Sequence, residues 1–324
     1  LLPVFITLAN LKSKEPDRVR HGNERVIHAR LSDANFFWEM DQKVPLQNRG
    51  EMLKKIVYQQ GLGTLHDQTM RLIAIAESLA KQLGINSKTI PRAALLAKCD
   101  LVTDLVGEFP ELQGTMGSYY ARSSGETGDV ATAIGEQYLP RFAGDRLPQS
   151  TAGQILAIAD KLNTLAGIFI LGKKPTGKRD PFGLRRAALG VIRILIEQNV
   201  DLDLTEAIKE ATAKQPGSKE KYAVINATLM DFILDRSKTY FMDSELDFRP
   251  DIFNAVRACR PTSLLDFEKR LQAVSKFIKL KEAASLAAAT KRTVNILRKS
   301  DYDHAGPVDS NLLTDDAENE LYNE

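Results

Sequence analysis

At 324 residues the chain is longer than one hydrophobic core usually serves, so two or three compact units are expected. Hydrophobic residues make up 43% and charged residues 27%, an ordinary globular balance that excludes fibrous and low-complexity classes. The net charge of +2 is uneven: from Ser300 onward there are eight carboxylates and no Lys or Arg, which leaves 44 basic against 34 acidic residues before that point, net +10, a balance suited to a polyanionic partner.

No apolar run approaches the ~20 residues that span a bilayer, so no membrane association is expected. Two cysteines, Cys99 and Cys259, are too few for a disulfide framework, and the reading is cytoplasmic. The chain begins at Leu1 rather than Met, inside a predicted strand at 4–8, and reads as a piece of a longer protein. A turn-rich stretch with Pro16 and Gly22 follows, then a helical pattern over 24–31, so the first sixty or so residues read as mixed α/β. The Phe36-Phe37-Trp38 cluster, with the only Trp, is expected to dock this segment onto a neighbour.

From Leu65 the pattern turns helical. Ile73, Ala76, Leu79, Ala80 and Leu83 share a face, and Gly84 closes that helix. Residues 93–106 are nearly all apolar and predict one buried central helix. Residues 122–128 form a loop, 130–138 a helix stopped by Pro140, and 155–171 an apolar helix ended by Gly172. Asp180 as cap and Pro181 in the first turn predict a helix over 182–198. Breaks fall at 215–218, Pro250 and Arg260-Pro261. A helix pair, 264–280 capped by Thr262 or Ser263 and then 282–297, precedes a loose acidic end. The fold class is mainly α with a small mixed α/β start.

Two segments have a layout with chemical meaning. Residues 95–102, containing Lys98-Cys99-Asp100, and 156–163, containing Asp160-Lys161, resemble two core helices of the HD-domain phosphohydrolases. In that family a His-Asp pair and a distant Asp, helped by an earlier His, hold a metal that activates water. Asp100 matches the Asp of the pair and Asp160 the distant one, but Cys99 stands in place of the paired His and Arg71 near the first His. Two carboxylates and a thiol beside a guanidinium suit a hydrolytic metal poorly. The expectation is a degenerate, metal-free site in which Arg71 pairs with Asp100, Asp160 or both. A metal-dependent phosphohydrolase is the alternative.

Cations form the other candidate sites. Lys173, Lys174, Lys178 and Arg179 flank Pro175-Thr176-Gly177, and Arg185, Arg186 and Arg193 follow, the last two seven residues apart on one helix face. Cations and free amides at a helix start suit phosphate contacts. The competing reading is a solvated turn, with Arg185 or Arg186 turned inward onto a buried carboxylate. The turn lacks the Walker spacing. The terminal helices add further cations, Lys291 and Arg292 among them, with Phe267 and Phe277 interleaved. His21 and His28 lie among arginines, which favours phosphate over metal. No zinc spacing, Ser-His-Asp logic or dinucleotide fingerprint is present.

Longer strings carry a more specific resemblance. They include 29–37 (ARLSDANFF), 92–101 (RAALLAKCDL), 108–117 (EFPELQGTMG), 138–145 (YLPRFAGD) and 180–190 (DPFGLRRAALG). In order, they resemble the beta subunit of the heteromeric, bacterial-type glycyl-tRNA synthetases. Asn163 and Gly183 stand where that family commonly has Asp and Ala. The resemblance implies a non-catalytic tRNA-binding chain with four regions: the end of a mixed α/β domain (1–60), an HD-like helical domain (61–200), a helical linker (201–260) and the start of a helical anticodon-binding domain (261–324). It also implies an alpha subunit that carries the glycine and ATP site, with ATP and Mg used by the holoenzyme and no cofactor in this chain. The partners are that alpha subunit, in a heterotetramer, and tRNA(Gly). The residues carried forward for tRNA are Lys178, Arg179, Arg185, Arg186, Lys291 and Arg292.

Overall fold

A computed structural model describes residues 4–177, 179–217, 219–242, 249–299 and 310–323. Helix dominates from Pro16 on. The first helix, α1 (Pro16–Asp41), starts on a proline, whose fixed φ suits a helix N-terminus. Its last turn is anchored where Trp38 stacks on Tyr120, centroids 5.0 Å apart, so of the aromatic cluster Trp38 docks, while Phe36 is exposed. Residues 4–8 form no strand: they have no ladder partner among the described residues, and Val4, Ile6 and Leu8 are exposed. Strand propensity without a neighbour to pair with leaves the backbone to water. A 3-10 segment, Leu46–Lys55, leads into the only sheet among the described residues, an antiparallel pair of β1 (Val57–Gln59) and β2 (Gly63–Thr64).

Next, α2 (Leu65–Gln82) opens with a reciprocal cap: Asp67 N donates to Thr64 Oγ1 at 3.2 Å and Thr64 N to Asp67 Oδ2 at 2.8 Å. Its buried face holds the predicted Ala76, Leu79 and Ala80 together with Leu72 and Ile75, whereas Ile73 and Leu83 are only half-buried. The single helix predicted over 93–106 is broken into α3 (Thr89–Leu96), a 3-10 turn Cys99–Val102 and α4 (Asp104–Glu108). Asp100 Oδ2 accepts Gly114 N at 2.5 Å and Gly117 N at 3.1 Å, and Thr103 caps α4. Those side-chain bonds to backbone outcompete the helix ladder.

The short helices α5 (Thr115–Ser123) and α6 (Gly128–Glu136) lead to the central α7 (Thr151–Ile170), which packs against α2 and α6. By length and composition α7 could cross a membrane, but 83% of that window is buried, as befits a core helix. Then come α8 (Leu184–Glu197), α9 (Leu204–Ala213), α10 (Tyr222–Met242) and α11 (Pro250–Ala258), with α7, α8 and α9 in mutual contact with α10. Phe241 and Phe253 meet Phe267 of α12 (Leu264–Phe277) in a fully buried triad, with Phe253 and Phe267 5.0 Å apart. Ser263 is the cap of α12, accepting from Asp266 N. The chain divides into two compact units, Leu1–Leu271 and Gln272–Glu324. The second holds α13 (Lys281–Lys299), exposed along almost its whole length, and α14 (Asp316–Asn323).

Asparagine at 163 has a structural reason. Its Nδ2 donates to the Gln68 carbonyl at 3.1 Å and its Oδ1 accepts Gln215 Nε2 at 2.8 Å, a two-way link a carboxylate cannot make.

Candidate nucleic-acid interface

The residues with the HD-like pattern are individually occupied. Asp100 is fully buried, and burial, outweighing the bonds from Gly114 and Gly117, pushes its pKa up to about 6. Cys99 is buried beside it, its thiol pushed up to about 12 by burial and then by the Asp100 charge, which keeps it protonated. Asp160 Oδ1 lies 2.8 Å from Nζ of Lys98, an ion contact outside good hydrogen-bond angles. Lys98 Nζ also sits 4.2 Å from the centroid of the Tyr138 ring. Burial opposes the lysine's charge, yet Asp160 and Tyr138 together hold its pKa above the ordinary lysine value.

The partner expected for the aspartates is therefore corrected. Arg71 Nη2 donates to the Leu62 carbonyl at 2.9 Å, and Lys98 is the cation at Asp160. Arg71 lies on α2 and Lys98 just past the end of α3, both helices packing on α7, and the arginine is taken up by the Leu62 carbonyl while the lysine meets Asp160. Among the described residues no group of three or more His, Cys, Asp or Glu side chains is placed to hold a metal. With one carboxylate neutralised by an ammonium and the other bonded to backbone amides, the phosphohydrolase alternative has no support in this geometry.

The basic turn is folded tightly. Thr176 and Arg179 exchange two backbone hydrogen bonds across Gly177. Helix α8 starts at Leu184 rather than 182, because Gly183 takes a left-handed φ of 64°. Asp180 still caps it, accepting Leu184 N at 2.8 Å and Arg185 N at 2.9 Å. That carboxylate fills the amides expected to meet phosphate, so the helix start itself is neutralised. The guanidinium groups remain. Arg185 Nη2 donates to the Gly177 carbonyl at 2.6 Å, and Arg186 is exposed. Neither reaches a carboxylate among the described residues, so the inward, buried-pair reading is not what forms.

These arginines border a groove of about 440 Å³ between α8 and α10, where Arg193, Arg236 and Tyr240 join them. Arg193 is committed: Nε and Nη2 hold Glu197 at 2.8 and 3.1 Å, and Nη1 donates to the carbonyls of Ala143 and Asp145. Among the described residues neither Arg186 nor Arg236 has a hydrogen-bond or ion-pair partner. Arg236 escaped the sequence reading because its cationic neighbours lie on α8, some forty or more residues away; only the α8–α10 packing brings them together.

Of the remaining sequence candidates, Arg179 is exposed at the turn and Lys178 lies outside the described residues. Lys291 and Arg292 are exposed on α13 in the second unit, and Lys291 borders a shallow cleft with Phe277, Leu286 and Val294. Another buried polar cluster carried no sequence signal: Asp41, 2% exposed, accepts from Arg49 Nη2 at 3.0 Å, Asp104 N and Leu105 N at 3.0 Å, and Tyr120 Oη at 2.8 Å.

Residues 1–258 match the family model described as glycyl-tRNA synthetase beta subunit. The chain is 48% identical over 321 residues to the glycine–tRNA ligase beta subunit of Pseudomonas aeruginosa, covering 99% of this chain and 46% of that protein. It is 48% identical over 322 residues to the same subunit of Pseudomonas putida strain W619, covering 99% and 47%. Against that of Chromohalobacter salexigens it is 47% identical over 321 residues, covering 99% and 46%. The chain spans about half the length of these curated relatives. On the length of that match and the level of identity, the chain belongs to the glycyl-tRNA synthetase beta subunit family.

Proposed function

We propose that this chain is a tRNA-binding part of a two-subunit glycine–tRNA ligase and does not carry the chemical step. Glycine, ATP and Mg²⁺ are handled by the alpha subunit, in a cytoplasmic heterotetramer that acts on tRNA(Gly). The degenerate HD-like site is a scaffold in this reading. The observation that carries it is the α8–α10 groove, where the exposed Arg186 and the half-buried Arg185 and Arg236 have no carboxylate partner among the described residues. Unneutralised guanidinium groups on a rigid helix pair grip phosphates bidentately. Arg179, exposed at the neighbouring turn, adds to this set, Lys178 follows from the sequence alone, and Lys291 and Arg292 supply a second set.

The test is equilibrium binding of tRNA(Gly) to the assembled enzyme over a salt series. Arg186→Ala with Arg236→Ala is expected to weaken binding at low salt. It should also flatten the dependence of log K on log salt by about one to two units, as loss of two phosphate contacts requires. Unchanged affinity and slope overturn the reading of this groove. Loss on Lys291→Ala with Arg292→Ala alone moves the interface to the second unit.

A further inference from the structure

A second cavity, of about 400 Å³, adjoins the degenerate site and shares only Arg186 with the arginine groove. That volume lies within the ~300–1,000 Å³ range of small-molecule sites. Its walls are of two kinds. Tyr138 and Phe182 present aromatic rings and Pro140 an aliphatic one, whereas Arg141, Lys161 and Arg186 bring cationic groups. Lys161 is buried and held in place at the back of the cavity by a 2.6 Å bond to the Leu139 carbonyl; burial pulls its pKa down to about 8, so it is cationic below that pH. Arg141 makes one long contact, 3.5 Å to the Gln113 carbonyl, and Arg186 makes none among the described residues. Of the carboxylates present, Asp160 is balanced by Lys98 and Glu111 is exposed at the rim.

Rings beside cations, with a hydroxyl acceptor at the rim, match one ligand chemistry. We propose that this cavity binds a single nucleotide, its base packed against the Phe182 and Pro140 rings, its phosphate on Arg141 and Arg186, and its ribose hydroxyls toward Glu111. Base stacking on an aromatic ring and a bidentate phosphate contact are each sequence-tolerant sources of affinity. Inorganic phosphate would use the cations and leave the rings bare. The nucleotide comes either from solution or from an unpaired position of bound RNA. Only the second source rests on the RNA-binding reading above.

The experiment titrates the full chain with AMP, CMP and inorganic phosphate, and separately with tRNA(Gly). Ala187 lines this cavity but not the arginine groove, so Ala187→Trp fills the cavity without changing charge. Phe182→Ala, read beside thermal melts, serves if the tryptophan variant fails to fold. A nucleoside monophosphate is expected to bind saturably, at least tenfold tighter than inorganic phosphate, and each variant to weaken it at least tenfold. If the variants also weaken tRNA binding, or weaken that alone, RNA presents the nucleotide; if tRNA affinity is unchanged while nucleotide binding is lost, the ligand is free. Nucleotide binding untouched by both variants overturns the site. So does an absence of nucleotide binding together with unchanged tRNA affinity. Arg236→Ala probes the groove without touching this cavity, so failure of the RNA-binding reading is seen separately.

Discussion

Lys98 Nζ and Asp160 Oδ1 lie 2.8 Å apart, the lysine 2% and the aspartate 9% exposed. The Lys98 ammonium is the cation that balances this buried carboxylate. Removing it leaves the Asp160 carboxylate buried and uncompensated. Lys98→Met is expected to cost about 3–5 kcal/mol of stability, and Lys98→Met with Asp160→Leu to restore most of it. Chemical denaturation measures both; a Lys98→Met protein as stable as the parent would refute the pairing. Because the folded lysine titrates above its ordinary value, this stabilisation is complete below the ordinary lysine range and is lost only as pH rises through the folded value.

Asp100 is also raised, and its window lies at acidic pH. Its folded pKa of about 6 exceeds the ordinary aspartate value of 3.8, so between those values the native state holds more protons than the unfolded chain. Stability therefore falls as pH rises across that window and is level above it. Asp100→Asn keeps an oxygen for Gly114 and Gly117 and removes the titration. Between pH 4 and 6.5 the stability difference should move in favour of the asparagine protein by about 2–3 kcal/mol. A difference independent of pH counts against burial as the cause.

The Asp41 cluster makes a local prediction. Tyr120→Phe removes one donor from a carboxylate that keeps Arg49 and two amides, and should cost about 1–2 kcal/mol. Asp41→Ala strands Arg49 and the first amides of α4 together and should cost distinctly more. Thermal melts of the two variants decide the order; equal losses would mean that the Tyr120 bond alone matters.

Arg193 and Arg236 border one groove but should behave differently. Arg193→Ala breaks the links to Glu197 and to the 143–145 backbone and is expected to lower stability by about 1–3 kcal/mol. Arg236→Ala should leave stability within about 0.5 kcal/mol and weaken tRNA binding instead. A stable Arg193→Ala protein, or an unstable Arg236→Ala one, would reverse these roles.

The sequence by itself determined the family, the helical class and most helix positions, because apolar spacing and caps such as Asp180 and Ser263 act within a few residues. It also placed Asp100 and Asp160 as a pair deserving notice and Arg185 and Arg186 at a helix start. What it could not decide was which cation meets which carboxylate: Arg71 and Lys98 are both within reach of α7 in sequence logic, and only the packing of α2 and α3 around that helix selects Lys98. The broken helix at 97–103 has the same origin, since Gly114 and Gly117 draw Asp100 out of the ladder from fourteen and seventeen residues away. Arg236 joined the α8 arginines in one groove, and Asp41 its buried cluster, through contacts between elements distant along the chain. Local spacing records what a residue does to its own helix; charge pairing and grooves arise between helices, and only the tertiary structure brings those surfaces together.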